Sequence, residues 1–427
     1  MKHAVLVDHE LAVSQHGYIV RALVRLTGHA PAGKTRTPIN ISLVLDRSGS
    51  MAGPKLDAAR EAAAFLVQRL APEDIVSVVA YDDEVETVAL PATGSAQAGT
   101  TQRIHGIQTG GCTNLSGGWL RGRELVAAGK REGAVNRVLL LTDGLANAGI
   151  TDRGLLCGLA GGAKREGVTT STIGFGADYD ETLLRGMADA GGGNTWYIER
   201  PDQAPGVFEE EIEGLLSLSA QNVAVEIRPG AQVQLTAVHN DYPFAELPAG
   251  ARRYELGDLY AREPKTLLVE FFVPGLDETA LTAVAQLVVH AHVLTDAGSI
   301  ERQEIIFSVD TPLGAAGHAE PEVRRELLVL AAARAREEAV RRERAGDFEG
   351  GSEPLLATAH MISESGWAEN DPSLAEIGAD LLSSAQALLA NQGFSEMDRK
   401  YEQQRTYNAR RGKHAYEEKL SRTRRKP

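Results

Sequence analysis

The ten residues ISLVLDRSGS at positions 41–50 decide how this chain is interpreted. Their first half is a run of mostly apolar side chains, which is typical of a strand buried on both faces of a parallel sheet. The second half places Asp46, Ser48 and Ser50 directly after that strand. Because open α/β sheets bind ligands at the carboxyl ends of their strands, these oxygen-bearing side chains are the first candidate site residues.

Two further segments carry side chains of the same kind. Thr113 lies in the loop GGCTN at 110–114, and Asp143 follows the apolar run VLLLT at 138–142. With the first segment they offer three hydroxyls and two carboxylates. Mg²⁺ takes oxygen ligands octahedrally, keeps several waters and needs only one or two carboxylates. The five residues therefore suit one magnesium ion, and Mn²⁺ or Ca²⁺ is compatible with the same oxygens.

Strand and helix patterns alternate from about residue 38 to residue 219, which predicts an α/β domain with a mainly parallel sheet. The predicted strands are 40–46, 74–81, 84–90, 137–142, 168–174 and 195–199, and the predicted helices are 54–70, 115–130, 152–166, 180–190 and 202–218. The short gap between residues 81 and 84 indicates a hairpin. We therefore expect one antiparallel edge strand.

The segments on either side of this domain have strand patterns without helices between them. They are 3–8 and 17–27 on one side, and 222–228, 233–239, 265–273, 281–294 and 301–309 on the other. Two strands alone are marginally stable in water. We therefore expect residues 1–37 to join residues 221–312 in a β-sandwich, with a Rossmann-like domain at 38–220 inserted between them.

The last part of the chain has a helical composition. Residues 320–395 predict a helical hairpin or three-helix segment, with helices at 322–344, at 353–362 and from Asp371-Pro372 onward. The glycines at 346, 350 and 351 are expected to separate the first two helices. Residues 396–427 are basic and are expected to form a flexible tail, either solvated or in contact with an acidic partner.

Composition excludes several classes of protein. The net charge is −14 over 427 residues, and the last 32 residues alone carry +6, so the body is strongly acidic and nucleic-acid binding is not expected. No apolar run is long enough to cross a membrane, and the N-terminal run is too short for a signal peptide, which favours the cytoplasm.

Two cysteines cannot form a disulfide framework. Cys112 is either a small loop residue or a reactive thiol.

A phosphate-binding loop is the first competing interpretation. Residues 28–35, GHAPAGKT, satisfy G-x-x-x-x-G-K-[ST]. Such a loop needs a following helix, because the N–H groups and dipole of the helix N-terminus hold the phosphates. Here Arg36-Thr37-Pro38 leads directly into a predicted strand. A basic loop between strands is the simpler interpretation.

The first segment also permits two enzymatic interpretations. An aspartate at a strand end can accept a phosphoryl group, but haloacid dehalogenase-type phosphatases place a second Asp two positions on, where this chain has Ser48. A serine hydrolase built on Ser48 or Ser50 needs a base. The nearest histidine, His105, has no evident partner and fits a solvated surface position.

Taken alone, Asp46, Ser48 and Ser50 also suit a strand-to-helix turn that caps backbone N–H groups. Together with the GGCTNL loop and the LTDG strand end, in that order, they resemble the metal-ion-dependent adhesion site of von Willebrand factor type A domains. By motif the resemblance covers about residues 38–220. It implies that Ser48 and Ser50 bind Mg²⁺ directly. Thr113 and one carboxylate would bind directly or through water, and the other carboxylate would hold a metal-bound water.

The resemblance also implies a function without catalysis. An Asp or Glu of a partner protein would complete the metal coordination, and Arg47 would lie at the rim and attract that carboxylate, or be an exposed arginine without a role. Intracellular bacterial relatives commonly serve AAA-type ATPases, so an accessory subunit of a chelatase or remodelling complex is an alternative. A metal-dependent hydrolase is another, although the sequence offers no adjacent general base.

Overall fold

The chain divides into two compact units in a computed structural model. Most of one unit is Pro31–Leu218, and the other consists of segments before and after it. The structure describes residues 1–9, 17–29, 37–93, 99–131, 133–176, 178–261, 264–274, 282–295, 300–311 and 319–412. Most of the loop with the phosphate-binding pattern, and residues 413–427 of the predicted tail, lie outside these ranges.

The elements run in the following order. Strands β1 (Lys2–His9) and β2 (Tyr18–Thr27) open the chain. The α/β unit contains β3 (Ile39–Asp46), α1 (Pro54–Arg69), β4 (Ile75–Tyr81), β5 (Val85–Ala92), α2 (Thr100–His105), α3 (Leu115–Ala128), β6 (Val135–Thr142), α4 (Arg153–Arg165), β7 (Thr169–Phe175), α5 (Glu181–Gly191), β8 (Gly192–Ile198) and α6 (Ala204–Leu216).

The later strands and the helices follow. The strands are β9 (Leu218–Pro229), β10 (Gln234–Val238), β11 (Phe244–Glu246), β12 (Arg252–Tyr260), β13 (Lys265–Val273), β14 (Thr282–Leu294) and β15 (Ile300–Thr311). The helices are α7 (Pro321–Arg344), α8 (Phe348–Glu364), α9 (Pro372–Asn391) and α10 (Glu396–Arg410). No helix in the described part of the chain is long and apolar enough to span a membrane.

The sheet of the α/β unit has the order β5-β4-β3-β6-β7-β8. All neighbouring strands are parallel except β5, which pairs antiparallel with β4. This confirms the predicted mainly parallel sheet with one antiparallel edge strand. Every residue of β3, β4, β6 and β7 is buried, as expected for a sheet covered on both faces. Strands β3 and β6 are neighbours, so Asp46 and Thr142 end at the same edge.

The second unit contains two antiparallel sheets. Their strand orders are β1-β2-β13-β10 and β11-β12-β9-β14-β15, and β2 pairs with β13 from Lys265 opposite Leu26 to Val273 opposite Tyr18. Buried residues of both sheets, among them Val24 and Val225, form one apolar core. The opening strands thus belong to a β-sandwich whose other strands follow the α/β domain, and this confirms the predicted insertion.

The strands β11 and β12 were not predicted. Strand β12, RRYELGDLY, pairs with β11 and buries Tyr254, Leu256 and Tyr260, which recur at alternate positions. Its intervening positions include Arg253 and Glu255, which are only partly buried. Because charged residues occupy its outer face, the apolar pattern of this half-buried strand is weak in the sequence.

The C-terminal helices pack on the four-stranded sheet. Leu23 and Leu268 of the sheet share a small buried cluster with Val323 and Leu330 of α7. Polar contacts surround it: the Arg324 guanidinium lies 2.6 Å from the buried Asp8 carboxylate, and the Thr266 hydroxyl donates to Glu326 at 2.8 Å. The helices therefore belong to the same unit as the sandwich.

Two expectations about these helices differ from the structure. Helix α8 begins at Phe348 instead of 353, with Asp347 accepting from the Gly350 N–H at 2.9 Å, and the break before it lies at Gly346 with φ of +78°. Gly351 is inside α8, where a Cβ would lie 3.1 Å from Leu388 of α9. The small residue allows close helix packing and does not break the helix.

The tail prediction also differs from the structure over residues 396–410, which form helix α10. Ser395 is the N-cap of this helix and accepts from the Asp398 N–H at 3.1 Å, and most of the helical residues are buried despite their polarity. The Arg405 guanidinium lies 2.9 Å from Asp380, and the Tyr242 hydroxyl donates to the Arg411 carbonyl at 3.0 Å. Ion pairs and hydrogen bonds fix this segment, and hydrophobic periodicity does not reveal them.

A buried histidine gives this unit a predicted pH dependence. His239 is 7% exposed, and burial and the neighbouring Arg334 lower its pKa from 6.5 to about 4. In the unfolded chain the His239 imidazole is protonated below about pH 6.5, whereas in the folded chain it is protonated only below about pH 4. We expect this contribution to be fully present above pH 6.5, and stability to fall by about 2 kcal/mol at pH 5 and by about 3 kcal/mol at pH 4, since one pKa unit corresponds to about 1.4 kcal/mol.

Urea unfolding at pH 7.5 and pH 5 measures this effect. His239→Asn should lose less stability between the two pH values than the wild type, because the group that titrates on unfolding is gone. His360→Asn is the control, since the side chain of His360 is 70% exposed. An equal loss in the wild type and in His239→Asn would contradict the assignment.

Candidate metal centre

Asp46 is the most enclosed residue of the candidate site. It ends β3, is 0% exposed, and accepts from the Ser48 N–H at 2.8 Å and from the Thr142 hydroxyl at 2.6 Å. Burial and, to a smaller extent, the Asp143 charge raise the pKa of Asp46 to about 6, against the lowering effect of the hydrogen bonds from Thr142 and Ser48. The two hydrogen bonds orient the Asp46 carboxylate. Because both donors are neutral groups, they do not neutralise its negative charge.

The two serines connect Asp46 to Asp143. The Ser48 and Ser50 hydroxyl oxygens lie 3.2 Å apart, and Ser50 donates to Oδ1 of Asp143 at 2.6 Å. Asp143 is 0% exposed, and its Oδ2 accepts from the Lys55 ammonium at 2.5 Å. The loop after β3 and the end of β6 thus contact each other through the predicted ligand side chains.

Thr113 reaches the same place from its own loop. Its N–H donates to the Asn147 side-chain oxygen at 2.8 Å, and its carbonyl accepts from the Asn147 and Ala148 N–H groups at 3.2 and 3.3 Å. A Cβ on Gly144 would lie 3.3 Å from the Thr113 hydroxyl oxygen and 3.7 Å from that of Ser50. The structure therefore brings all five predicted residues together at the carboxyl edge of the sheet.

Asp82, which the sequence reasoning missed, anchors the Thr113 loop. Its Oδ2 accepts from the Gly111 N–H at 3.1 Å, and its carbonyl accepts from the Asn114 N–H at 2.8 Å. Partial burial raises the pKa of Asp82, but the N–H groups of Glu84 and Gly111 and the Arg47 charge lower it more, so it lies below the usual value. The aspartate pair at 82–83, directly after β4, was the available signal.

Gly110 makes this anchoring geometrically feasible. A Cβ at that position would lie 1.4 Å from the Asp82 carboxylate oxygen, so any other residue would displace the loop. The double glycine before Cys112 therefore has a steric reason.

Arg47 has an internal role that differs from the expected rim position. Its guanidinium pairs with Glu86 at 2.6 Å and Asp82 at 3.3 Å, and its N–H donates to the Tyr81 carbonyl at 2.8 Å. The side chain is 15% exposed. Two nearby carboxylates hold it against β4 and β5, and so Arg47 stabilises the loop after β3.

The donor set fits a hard divalent cation. Hydroxyl and carboxylate oxygens are the ligands that Mg²⁺ prefers, and the site contains two carboxylates with 0% exposure, of which Asp143 contacts the Lys55 ammonium. Among the described residues no group of three or more His, Cys, Asp or Glu side chains is arranged to hold a metal ion. Any metal at this edge would thus depend on the hydroxyls as well as the carboxylates.

The domain assignment follows from a sequence comparison together with this fold. Residues 40–210 match the family model described as the von Willebrand factor type A domain. The chain contains a von Willebrand factor type A domain. Such domains generally act as protein-interaction or adhesion modules and are generally not enzymes.

A curated relative of this A-domain chain is an uncharacterised protein of Synechocystis, 29% identical over 252 residues. The match covers 56% of this chain and 59% of that protein, so the chain spans less than two thirds of the relative's length. That relative does not supply a function.

Solved structures show that the fold around the A domain recurs. A von Willebrand factor type A protein from Catenulispora acidiphila has a TM-score of 0.66 at 20% identity, over 87% of this chain and 88% of that chain. The ArnB paralog VWA2 from Sulfolobus acidocaldarius has a TM-score of 0.57 at 17% identity, over 96% and 97%. Both likenesses extend well beyond residues 40–210.

Proposed function

We propose that the A domain binds a partner protein through a divalent cation held by Ser48, Ser50, Thr113, Asp46 and Asp143. Mg²⁺ suits these oxygens best, and Mn²⁺ or Ca²⁺ is compatible with them. The meeting of five oxygen-bearing side chains from three separate loops at one sheet edge supports this most strongly. If these side chains only capped backbone N–H groups, the three loops would not need to meet, because each loop could satisfy its own backbone groups.

The partner in this proposal contributes an Asp or Glu side chain. A divalent cation with protein ligands on one side is the largest local charge in its site, so it strongly favours a carboxylate on the open side. We propose no catalytic step; among the described residues no group of three or more His, Cys, Asp or Glu side chains is arranged to hold a further metal ion. Cys112 and Cys157 are free thiols, which suits the reducing cytoplasm.

Affinity capture from lysate tests the proposed function. We expect the wild-type chain to retain a partner in Mg²⁺ and to release it in EDTA. Thr113→Val should retain much less, because it removes a ligand oxygen and keeps the volume of the side chain. Thr87→Val is the matched control: it lies in β5 of the same unit, and its hydroxyl accepts from Arg121 at 2.9 Å, in a contact separate from the site. Undiminished capture in EDTA would contradict the proposal.

A further inference from the structure

Lys55 lies against the candidate metal site without belonging to the predicted ligand set. It is in the first turn of α1, directly after Pro54, and its ammonium lies 2.5 Å from Oδ2 of Asp143. The side chain also passes the end of β7, where a Cβ on Gly176 would lie 3.5 Å from Nζ. Its exposure of 27% leaves the ammonium partly solvated, beside a carboxylate that is 0% exposed.

The two carboxylates of the site are neutralised unequally. Asp143 contacts a full positive charge and a hydroxyl, while Asp46 contacts a backbone N–H and a hydroxyl. With both carboxylates ionised and Lys55 protonated, the three side chains sum to one negative charge. A bound divalent cation turns this into one positive charge, which one partner carboxylate would neutralise.

We propose that Lys55 is the internal counter-ion of the metal site: it weakens cation binding by repulsion and gives the loaded site the positive charge that selects a singly charged carboxylate. The inference rests on the proposed function, because it concerns the same site. Like charges a few ångströms apart repel strongly where water is partly excluded. Lys55 is therefore a specificity-determining residue that acts on the metal through Asp143.

Calorimetric titration of metal-free protein with Mg²⁺ tests the inference without a partner. We expect Lys55→Met to bind Mg²⁺ about tenfold more tightly than the wild type, since a nearby positive charge is lost. Lys55→Arg should bind about as the wild type does. Lys130→Met is the matched control: its ammonium contacts the Glu166 carbonyl elsewhere in the unit, and its affinity should not change.

The outcomes of this titration distinguish the counter-ion role of Lys55 from the existence of the metal site. A purely structural Lys55 would leave Mg²⁺ affinity unchanged or lower it when removed, and either result in a metal-binding wild type overturns the counter-ion role alone. Binding by Lys55→Met together with undetectable binding by the wild type would support repulsion by Lys55 but would contradict the proposed function, because the wild-type chain would not hold the metal. If neither protein binds Mg²⁺ while both remain folded by circular dichroism, the metal site and this inference fail together.

Discussion

Glu211→Ala is expected to lower the free energy of unfolding of the A domain by about 3–5 kcal/mol, because it leaves a buried arginine without its counter-ion. Glu211 of α6 and Arg137 of β6 both have side chains with 0% exposure, and their charged atoms lie 3.0 Å apart. Glu211 also accepts from Ser171 at 2.6 Å and Trp196 at 2.7 Å. Removing the carboxylate takes the counter-ion at 3.0 Å from the Arg137 guanidinium and the acceptor from the Ser171 and Trp196 donors.

The same contacts explain why Glu211 is ionised inside the protein. Burial raises its pKa, but the Arg137 charge and the hydrogen bonds from Ser171, Asn194 and Trp196 lower it by more, so the pKa lies below the usual value. Because these partners lie on β6, β7 and β8, one side chain fixes α6 to three strands.

Urea unfolding of the variants at pH 7 measures the effect. Glu209→Ala is the control, since Glu209 is in the same helix, its side chain is 43% exposed, and it pairs with the exposed Arg69. That variant should change stability by about 0.5 kcal/mol or less. A Glu211→Ala loss of about 1 kcal/mol or less would show that the buried pair contributes no more than an ordinary substitution site.

Asp46→Asn is expected to separate metal binding from folding. The substitution should weaken Mg²⁺ binding by about 100-fold or more, because it removes a ligand charge. Metal-free stability should stay the same or rise, since the ionised Asp46 is 0% exposed, accepts from two neutral donors and lies near the Asp143 charge. An asparagine keeps the shape and can still accept from the Ser48 N–H.

Thermal unfolding with and without Mg²⁺ measures both parts. The wild-type midpoint should rise with Mg²⁺, whereas that of Asp46→Asn should rise far less at the same Mg²⁺ concentration. Asp57→Asn is the control, because its side chain in α1 is 62% exposed, and it should respond to Mg²⁺ like the wild type. A Mg²⁺-induced shift in Asp46→Asn equal to that of the wild type would remove Asp46 from the site.

The sequence indicated candidate site residues where a polar side chain directly follows a predicted strand. Asp46 and Asp143 could be placed at one sheet edge because parallel strands order their carboxyl ends, and the structure brings Thr113 to the same edge. The contacts that hold this arrangement join loops distant in sequence, such as the contact between Asp82 and the Gly111 N–H. No periodicity encodes such contacts, so the roles of Asn147 and Lys55 became visible only in three dimensions, whereas Asp82 follows a strand and could have been considered from the sequence.

Polar segments were the least predictable part of the fold. Helix α10 has few apolar residues, and its burial depends on partners such as Asp380 for Arg405. Strand β12 has charged residues between its buried tyrosines. In α10 the decisive interactions are ion pairs and hydrogen bonds, which a pattern based on hydrophobicity does not detect. In β12 the buried side chains join the apolar core of the sandwich, and the charged residues between them obscure the apolar pattern.

Crystals of the chain grown with Mn²⁺ would test the central claim most directly, through anomalous scattering. We predict one strong anomalous peak within coordination distance of the Ser48, Ser50 and Thr113 hydroxyl oxygens, with Asp46 and Asp143 beside it, and no such peak in crystals of Asp46→Asn. An ordered site that shows no anomalous peak at saturating Mn²⁺, or a peak bound only by other residues, would contradict a metal-dependent adhesion site in this domain.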